Sequence, residues 1–230
     1  MRRAALIVLC ALGATPALAG CRLALALGFD VSSSVDAYDY AVQRDGLIAA
    51  LAAPEIRRAF LAPEDSVALA VFEWGGRQHQ ELIVDWLLIE GAGELDAVIA
   101  ALGAHAPPAF WQPTAIGAAL AYGRELFEAA PDCAARTLDL SGDGRNNDWL
   151  EPARIYAREE FGALLVNGLA IGGHESDIVR YYATNVIRGA GAFVVVAPTH
   201  ADFPHAIRRK LERELSGPVL GTLPWPKARG

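Results

Sequence analysis

At 230 residues the chain has room for one ordinary domain with a full hydrophobic core. A composition of 53% apolar and 20% charged residues is that of a globular protein and excludes a disordered one. The net charge of −7, with no basic stripe, excludes a sequence-independent nucleic-acid binder, because that function must displace counterions with clustered Lys and Arg. The densest basic run, Arg208-Arg209-Lys210, is followed at once by Glu212 and Glu214 and reads as a mixed, solvated helix face.

In chain order, Arg2-Arg3, an apolar run from Ala4 to Leu12 and the small residues around Ala17-Leu18-Ala19 have the pattern of a secretory signal peptide over residues 1–20. The run is too short to span a bilayer, and no other segment qualifies as transmembrane. Leu23 to Phe29 is a continuous apolar run, as expected of a strand buried on both faces. Asp36 to Ala53 reads as a helix closed by Pro54. Ser66 to Phe72 and Leu82 to Trp86 read as strands, joined as a hairpin through Gly75-Gly76.

Glu94 to Leu102 is helical, a Pro-rich loop runs from His105 to Pro113, and Thr114 opens a helix to about Ala129. Thr137 to Leu140 is a strand ending in the turn Ser141-Gly142-Asp143-Gly144. Further strands are expected at Ala163 to Ile171 and Phe193 to Val196, with helices at Pro152 to Phe161, Ser176 to Tyr182 and Phe203 to Leu215. This alternation predicts an α/β fold: a doubly wound, mostly parallel six-stranded sheet with helices on both faces. One domain over residues 21–215 and a loose C-terminal tail over 216–230 complete the organisation.

In such a sheet, ligands bind beyond the carboxyl ends of the strands where the strand order reverses. Asp30, Ser32 and Ser34 follow the first strand, Asp143 follows the strand near 140, and Thr114 follows the Pro-rich loop. All are hard oxygen donors, the kind preferred by magnesium and similar cations. Alternate residues of an extended segment point the same way, so Asp-x-Ser-x-Ser can aim three side chains at one point. Each residue also has a plain reading as a helix N-cap, Ser34 or Asp36 for the first helix and Thr114 for a later one. Their combination is what singles them out: of seven serines in the chain, three lie consecutively here.

Asp30-x-Ser32-x-Ser34, Thr114 and Asp143-Gly144, in this order and context, resemble the metal-ion-dependent adhesion site of von Willebrand factor A domains. The likeness runs from about Cys21 to Leu215. More narrowly, the turn Ser141 to Asn147 resembles that of a bacterial exported subfamily with the pattern Ser-Gly-Asp-Gly-x-Asn-Asn. The resemblance implies a six-stranded sheet whose third strand is antiparallel. It also implies one Mg2+ (or Mn2+ or Ca2+) held by the hydroxyls of Ser32, Ser34 and Thr114, with Asp30 and Asp143 acting directly or through waters. The open coordination position would take an Asp or Glu of a protein partner. Two departures from the family pattern bear on the loops: Ser33 stands where Gly is common, and Ser141-Gly142 precede the second Asp where many members carry Thr.

If Asp30 and Asp143 meet at one ion, their strands are parallel neighbours, and Cys21 and Cys133 fall near the opposite ends of those strands, within bridging range. A Cys21–Cys133 disulfide suits an exported, periplasmic or secreted protein. The alternative is a lipid anchor on Cys21, since Leu18-Ala19-Gly20-Cys21 has the look of a lipobox. Trp74, Phe110, Trp111 and Trp149 fall on loops at the expected metal end and read as a partner-binding rim. The competing functions are a magnesium-dependent hydrolase and a structural domain with a vestigial site. Against the hydrolase, the five His residues are scattered, and neither a Gly-x-Ser-x-Gly elbow nor a phosphate loop occurs.

Overall fold

The computed structural model describes residues 20–62, 65–106 and 111–216. The expected signal peptide, the tail beyond Ser216 and Phe110 of the rim lie outside the described residues.

Six strands form one sheet: β1 (Gly20–Asp30), β2 (Asp65–Trp74), β3 (Gln80–Ile89), β4 (Cys133–Gly142), β5 (Leu165–Ile171) and β6 (Val194–Ala197), in the order β3-β2-β1-β4-β5-β6. Only β3 runs antiparallel, as the hairpin partner of β2. The expected doubly wound α/β sheet is therefore present, and its order reverses between β1 and β4. Two apolar layers explain the winding. On one face Leu25, Leu27, Leu69 and Val71 pack under α1 (Ala37–Ala52), α2 (Pro54–Phe60), α3 (Ala92–Ala104) and α7 (Phe203–Leu215). On the other, Ala24, Ala26, Phe72, Leu138 and Leu140 pack under α4 (Ile116–Leu126), α5 (Pro152–Arg158) and α6 (Ile178–Tyr181), which runs on into a π-helical turn, Tyr182–Val186. Period-two alternation along strands buried on both faces produces these layers.

The helix ends differ from expectation in an informative way. Pro54 does not only close α1. It also opens α2, an element the sequence pattern does not announce, because a proline is well suited to the first turn of a helix, where its missing N–H goes unused. Asp36 caps α1, accepting from the backbone N–H groups of Tyr38 (2.8 Å) and Asp39 (2.9 Å). Ser34 is thus released from capping. Thr114 likewise does not cap α4, whose N-cap is Ala115 without a side-chain bond.

Cys21 and Cys133 are register partners at the lower ends of β1 and β4 and form a disulfide, with Cα atoms 4.4 Å apart. The Cys21 sulfur is thereby taken up, as the disulfide reading requires and the lipid-anchor reading does not allow. No helix among the described residues is long and apolar enough to cross a membrane.

Candidate metal site at the strand-order reversal

The carboxyl ends of β1 and β4 deliver Asp30 and Asp143 to the same place. β1 ends on Asp30, whose Oδ1 accepts from the Ser32 backbone N–H at 2.8 Å, so the chain turns sharply and sends Ser32 and Ser34 back over the strand end. The two serine hydroxyls lie 3.2 Å apart, and the Ser34 hydroxyl donates to Asp143 Oδ1 at 2.6 Å. Ser33 is exposed, and its N–H is held by the Gln112 carbonyl at 2.7 Å. Serine is sterically acceptable there, since positive φ outside glycine is confined, among the described residues, to Trp111 and Trp149.

The glycines of the second loop are required by close approach. A Cβ on Gly142 would stand 2.5 Å from the Tyr182 hydroxyl and 2.6 Å from Asp30 Oδ2. One on Gly144 would stand 3.2 Å from the Thr114 hydroxyl, so the Asp143-Gly144 turn lies directly against Thr114. The asparagines of the turn fix Thr114 in position. Asn147 Oδ1 accepts from the Thr114 N–H at 2.8 Å, and the Asn147 N–H donates to the Thr114 carbonyl at 2.8 Å. Asn146 Oδ1 accepts from the Gly117 N–H at 3.0 Å, tying the turn to the first turn of α4. The pattern Ser-Gly-Asp-Gly-x-Asn-Asn is thus a clamp on the threonine loop. All five expected donors, Asp30, Ser32, Ser34, Thr114 and Asp143, stand at one end of the sheet.

Electrostatically the site is out of balance on its own. Asp30 and Asp143 are fully buried, and Asp30 Oδ2 and Asp143 Oδ2 have no hydrogen-bond partner. Burial, and then the neighbouring Asp143 charge, push the Asp30 carboxyl up to about 8, against the pull of its bonds from Ser32. Burial and the same two carboxylates raise the Tyr182 phenol well above its ordinary value. Two buried carboxylates with orphaned oxygens, with the Ser34 hydroxyl bonded to Asp143, Ser32 beside it and Thr114 against the Asp143-Gly144 turn, fit a hard divalent cation in both charge and donor type. His200, one of the five histidines that look scattered in the sequence, stands 3.8 Å from Asp143 Oδ2 and 3.6 Å from Asp39 Oδ2. No spacing rule links it to either; it arrives on the turn before α7.

The rim expectation is corrected at one position. Trp74 belongs to β2, not to a loop, and is fully buried in the layer under α4. Trp111 is 89% exposed and Trp149 47% exposed, and each sits beside a segment that holds Thr114 or Ser33.

The sheet order, the single antiparallel strand and the placement of the loops at the reversal define a von Willebrand factor A-like fold. Among solved structures the chain is similar to proximal thread matrix protein 1 from the mussel byssus, in a form described with a zinc-occupied MIDAS motif, at 16% identity over 86% of this chain and 48% of that one, with a TM-score of 0.61. It is similar to a von Willebrand factor type A protein from Catenulispora acidiphila at 19% identity, over 85% and 43% of the two chains, with a TM-score of 0.59. The PilB minor pilin from Streptococcus sanguinis follows at 12% identity, over 87% and 64%, with a TM-score of 0.59. At these identities the likeness is one of fold, and each of these proteins extends well beyond the part matched. No curated protein matches the chain. The chain belongs to the family described as "Protein of unknown function (DUF1194)", whose model matches residues 20–219.

Proposed function

We propose that residues 21–215 form an exported, metal-dependent protein-binding domain. One divalent cation, Mg2+, Mn2+ or Ca2+, would be held by Asp30, Ser32, Ser34, Thr114 and Asp143 and would receive an Asp or Glu of the partner. The observation that carries this reading is the pair of buried carboxylates with unpartnered oxygens at the strand-order reversal. Like charges in that position oppose each other unless a proton or a cation lies between them. When bound, the ion supplies a Lewis acid whose charge is only partly neutralised by its own site. The chain's residues then orient it: Ser32 and Ser34 from the loop after β1, Thr114 through the asparagine clamp. Trp111 and Trp149 would supply apolar contact area beside it. The signal-peptide pattern and the Cys21–Cys133 disulfide support an oxidising, exported setting. A mussel byssus protein with a zinc-occupied MIDAS motif and a minor pilin among the fold's neighbours are consistent with a binding rather than a catalytic role.

Calorimetric titration of the mature chain with magnesium and manganese, beside Asp30→Ala, tests the reading. One saturable site that the substitution abolishes is the expected result. Turnover of generic ester or phosphate substrates, lost in Asp30→Ala, would instead move the assignment to a hydrolase.

A further inference from the structure

A second cluster of metal-ligating side chains lies where the β2–β3 hairpin meets the C-terminal end of α3, outside the site at the β1 and β4 ends. Glu73, one residue before the end of β2, is fully buried, yet both its carboxylate oxygens are met by imidazoles. His79 Nε2 stands 3.1 Å from Oε1 and His105 Nε2 stands 3.1 Å from Oε2. Glu81 is the register partner of Glu73 across the hairpin. One ligand atom each from Glu73, Glu81 and His105 lies within 4.8 Å of the other two. The three residues span the range from buried to exposed, so the cluster opens to solvent on the Glu81 side.

We propose that Glu73, Glu81 and His105 form a second metal site, for zinc or a cation of similar borderline character, with His79 fixing the far oxygen of Glu73. The donor set decides the ion. Two carboxylates and an imidazole suit zinc, whereas the all-oxygen set of Asp30 and its neighbours suits magnesium. Two carboxylate charges also match a divalent cation. With its Nε2 protonated, His105 donates to Glu73; the other neutral tautomer turns a lone pair to the same point, so ligation needs no change of ring position. His79 then has the role of the outer-shell partner that orients a ligating carboxylate.

The site's place in the fold gives it a task. The Gly75 N–H bonds to the His79 carbonyl at 3.0 Å, and the Gly75 carbonyl accepts from the Ala115 N–H at 2.9 Å, next to Thr114. A cation joining Glu73, Glu81 and His105 would brace the hairpin turn against which the threonine loop rests.

The test uses the mature chain, stripped of metal and then saturated with magnesium, titrated with zinc chloride by calorimetry and with cobalt by visible absorbance. One zinc site is expected, retained in Asp30→Ala. Glu81→Gln, a change at an exposed residue, and His105→Gln should each weaken it more than His79→Gln, which should cost about 10–100-fold. Far-UV circular dichroism of the three variants shows that they fold. Absence of zinc binding to the magnesium-saturated protein overturns the proposal. So does zinc binding that disappears in Asp30→Ala and is unchanged in Glu81→Gln and His105→Gln.

Discussion

The Ser34 hydroxyl donates to Asp143 Oδ1 at 2.6 Å, joining two loops whose residues are 109 positions apart. The bond gives one oxygen of Asp143 a partner and leaves the other, buried, without one. Replacing Ser34 by Ala removes both the bond and a proposed ligand. Because the cation loses a ligand, magnesium affinity in the calorimeter is expected to fall at least tenfold, a loss of about 1.4 kcal/mol or more. Unchanged affinity would remove Ser34 from the ligand set.

The high position of the Asp30 carboxyl sets a pH dependence. With its pKa pushed up to about 8 in the metal-free protein, folded Asp30 keeps its proton through a range in which the unfolded chain, titrating near about 3.9, has lost it. The folded state then binds more protons than the unfolded one, so stability falls as pH rises across that window. Chelator-treated protein should melt at a higher temperature at pH 5 than at pH 8, and Asp30→Asn should reduce that difference. Magnesium must displace the proton, so its stabilising effect should be larger at pH 8. Thermal melts followed by circular dichroism, with and without magnesium, read all three.

Gly142 is predicted to accept no side chain. Gly142→Ala drives a methyl group toward the Tyr182 hydroxyl and Asp30 Oδ2, and overpacking of this kind costs about 1–3 kcal/mol. Adding Tyr182→Phe removes one of the two obstructing atoms, so the double variant should recover part of the loss. Urea denaturation of the four-member cycle measures it; a purely additive result would mean that Tyr182 is not what blocks the position.

Removal of the disulfide separates stability from the site. Cys21→Ser with Cys133→Ser should cost about 2–5 kcal/mol in urea. Magnesium affinity should hold, because the bridge sits at the opposite ends of the two strands that carry Asp30 and Asp143.

Lys210 and Glu214, which the sequence reads as part of a solvated helix face, are instead buried on α7, with Lys210 Nζ 3.0 Å from Asp139 Oδ2 and 3.4 Å from Glu214 Oε1. Burial raises both carboxyl pKa values, and the lysine charge opposes that shift. Lys210→Met leaves two buried acids without their cation and should destabilise by about 3–5 kcal/mol at neutral pH. Protonation relieves those acids, so the deficit should shrink as the pH is lowered.

What the sequence made legible follows from range. The apolar run at Leu23–Phe29 announces a buried strand because every residue in it is buried in one layer or the other, and the run Ala163–Ile171 announces β5, which keeps Leu165–Ile171 and leaves Ala163 exposed before it. Asp30, Ser32 and Ser34 are legible because they sit within one short motif, and Asp143 because its turn is dense in glycine. Trp74 is misplaced by sequence alone because the apolar run stops at Phe72, before the charged Glu73; β2 continues through Trp74 and pairs it with Gln80. The cluster of Glu73, His79, Glu81 and His105 has no local signal. Its members come from a strand end, a turn, a second strand and the end of a helix, and only the hairpin register and the seating of α3 bring them together.

Trp111 and Trp149 are the described non-glycine residues with positive φ, at 99° and 59°. A large side chain adopts that backbone at a cost of about 1–3 kcal/mol. Glycine would relieve it, so Trp111→Gly and Trp149→Gly fall where a gain in folding stability and a loss of contact surface are coupled. A screen for heat resistance would enrich these replacements, and a screen for partner capture would reject them. The two loops are therefore where selection for durability and selection for recognition pull in opposite directions.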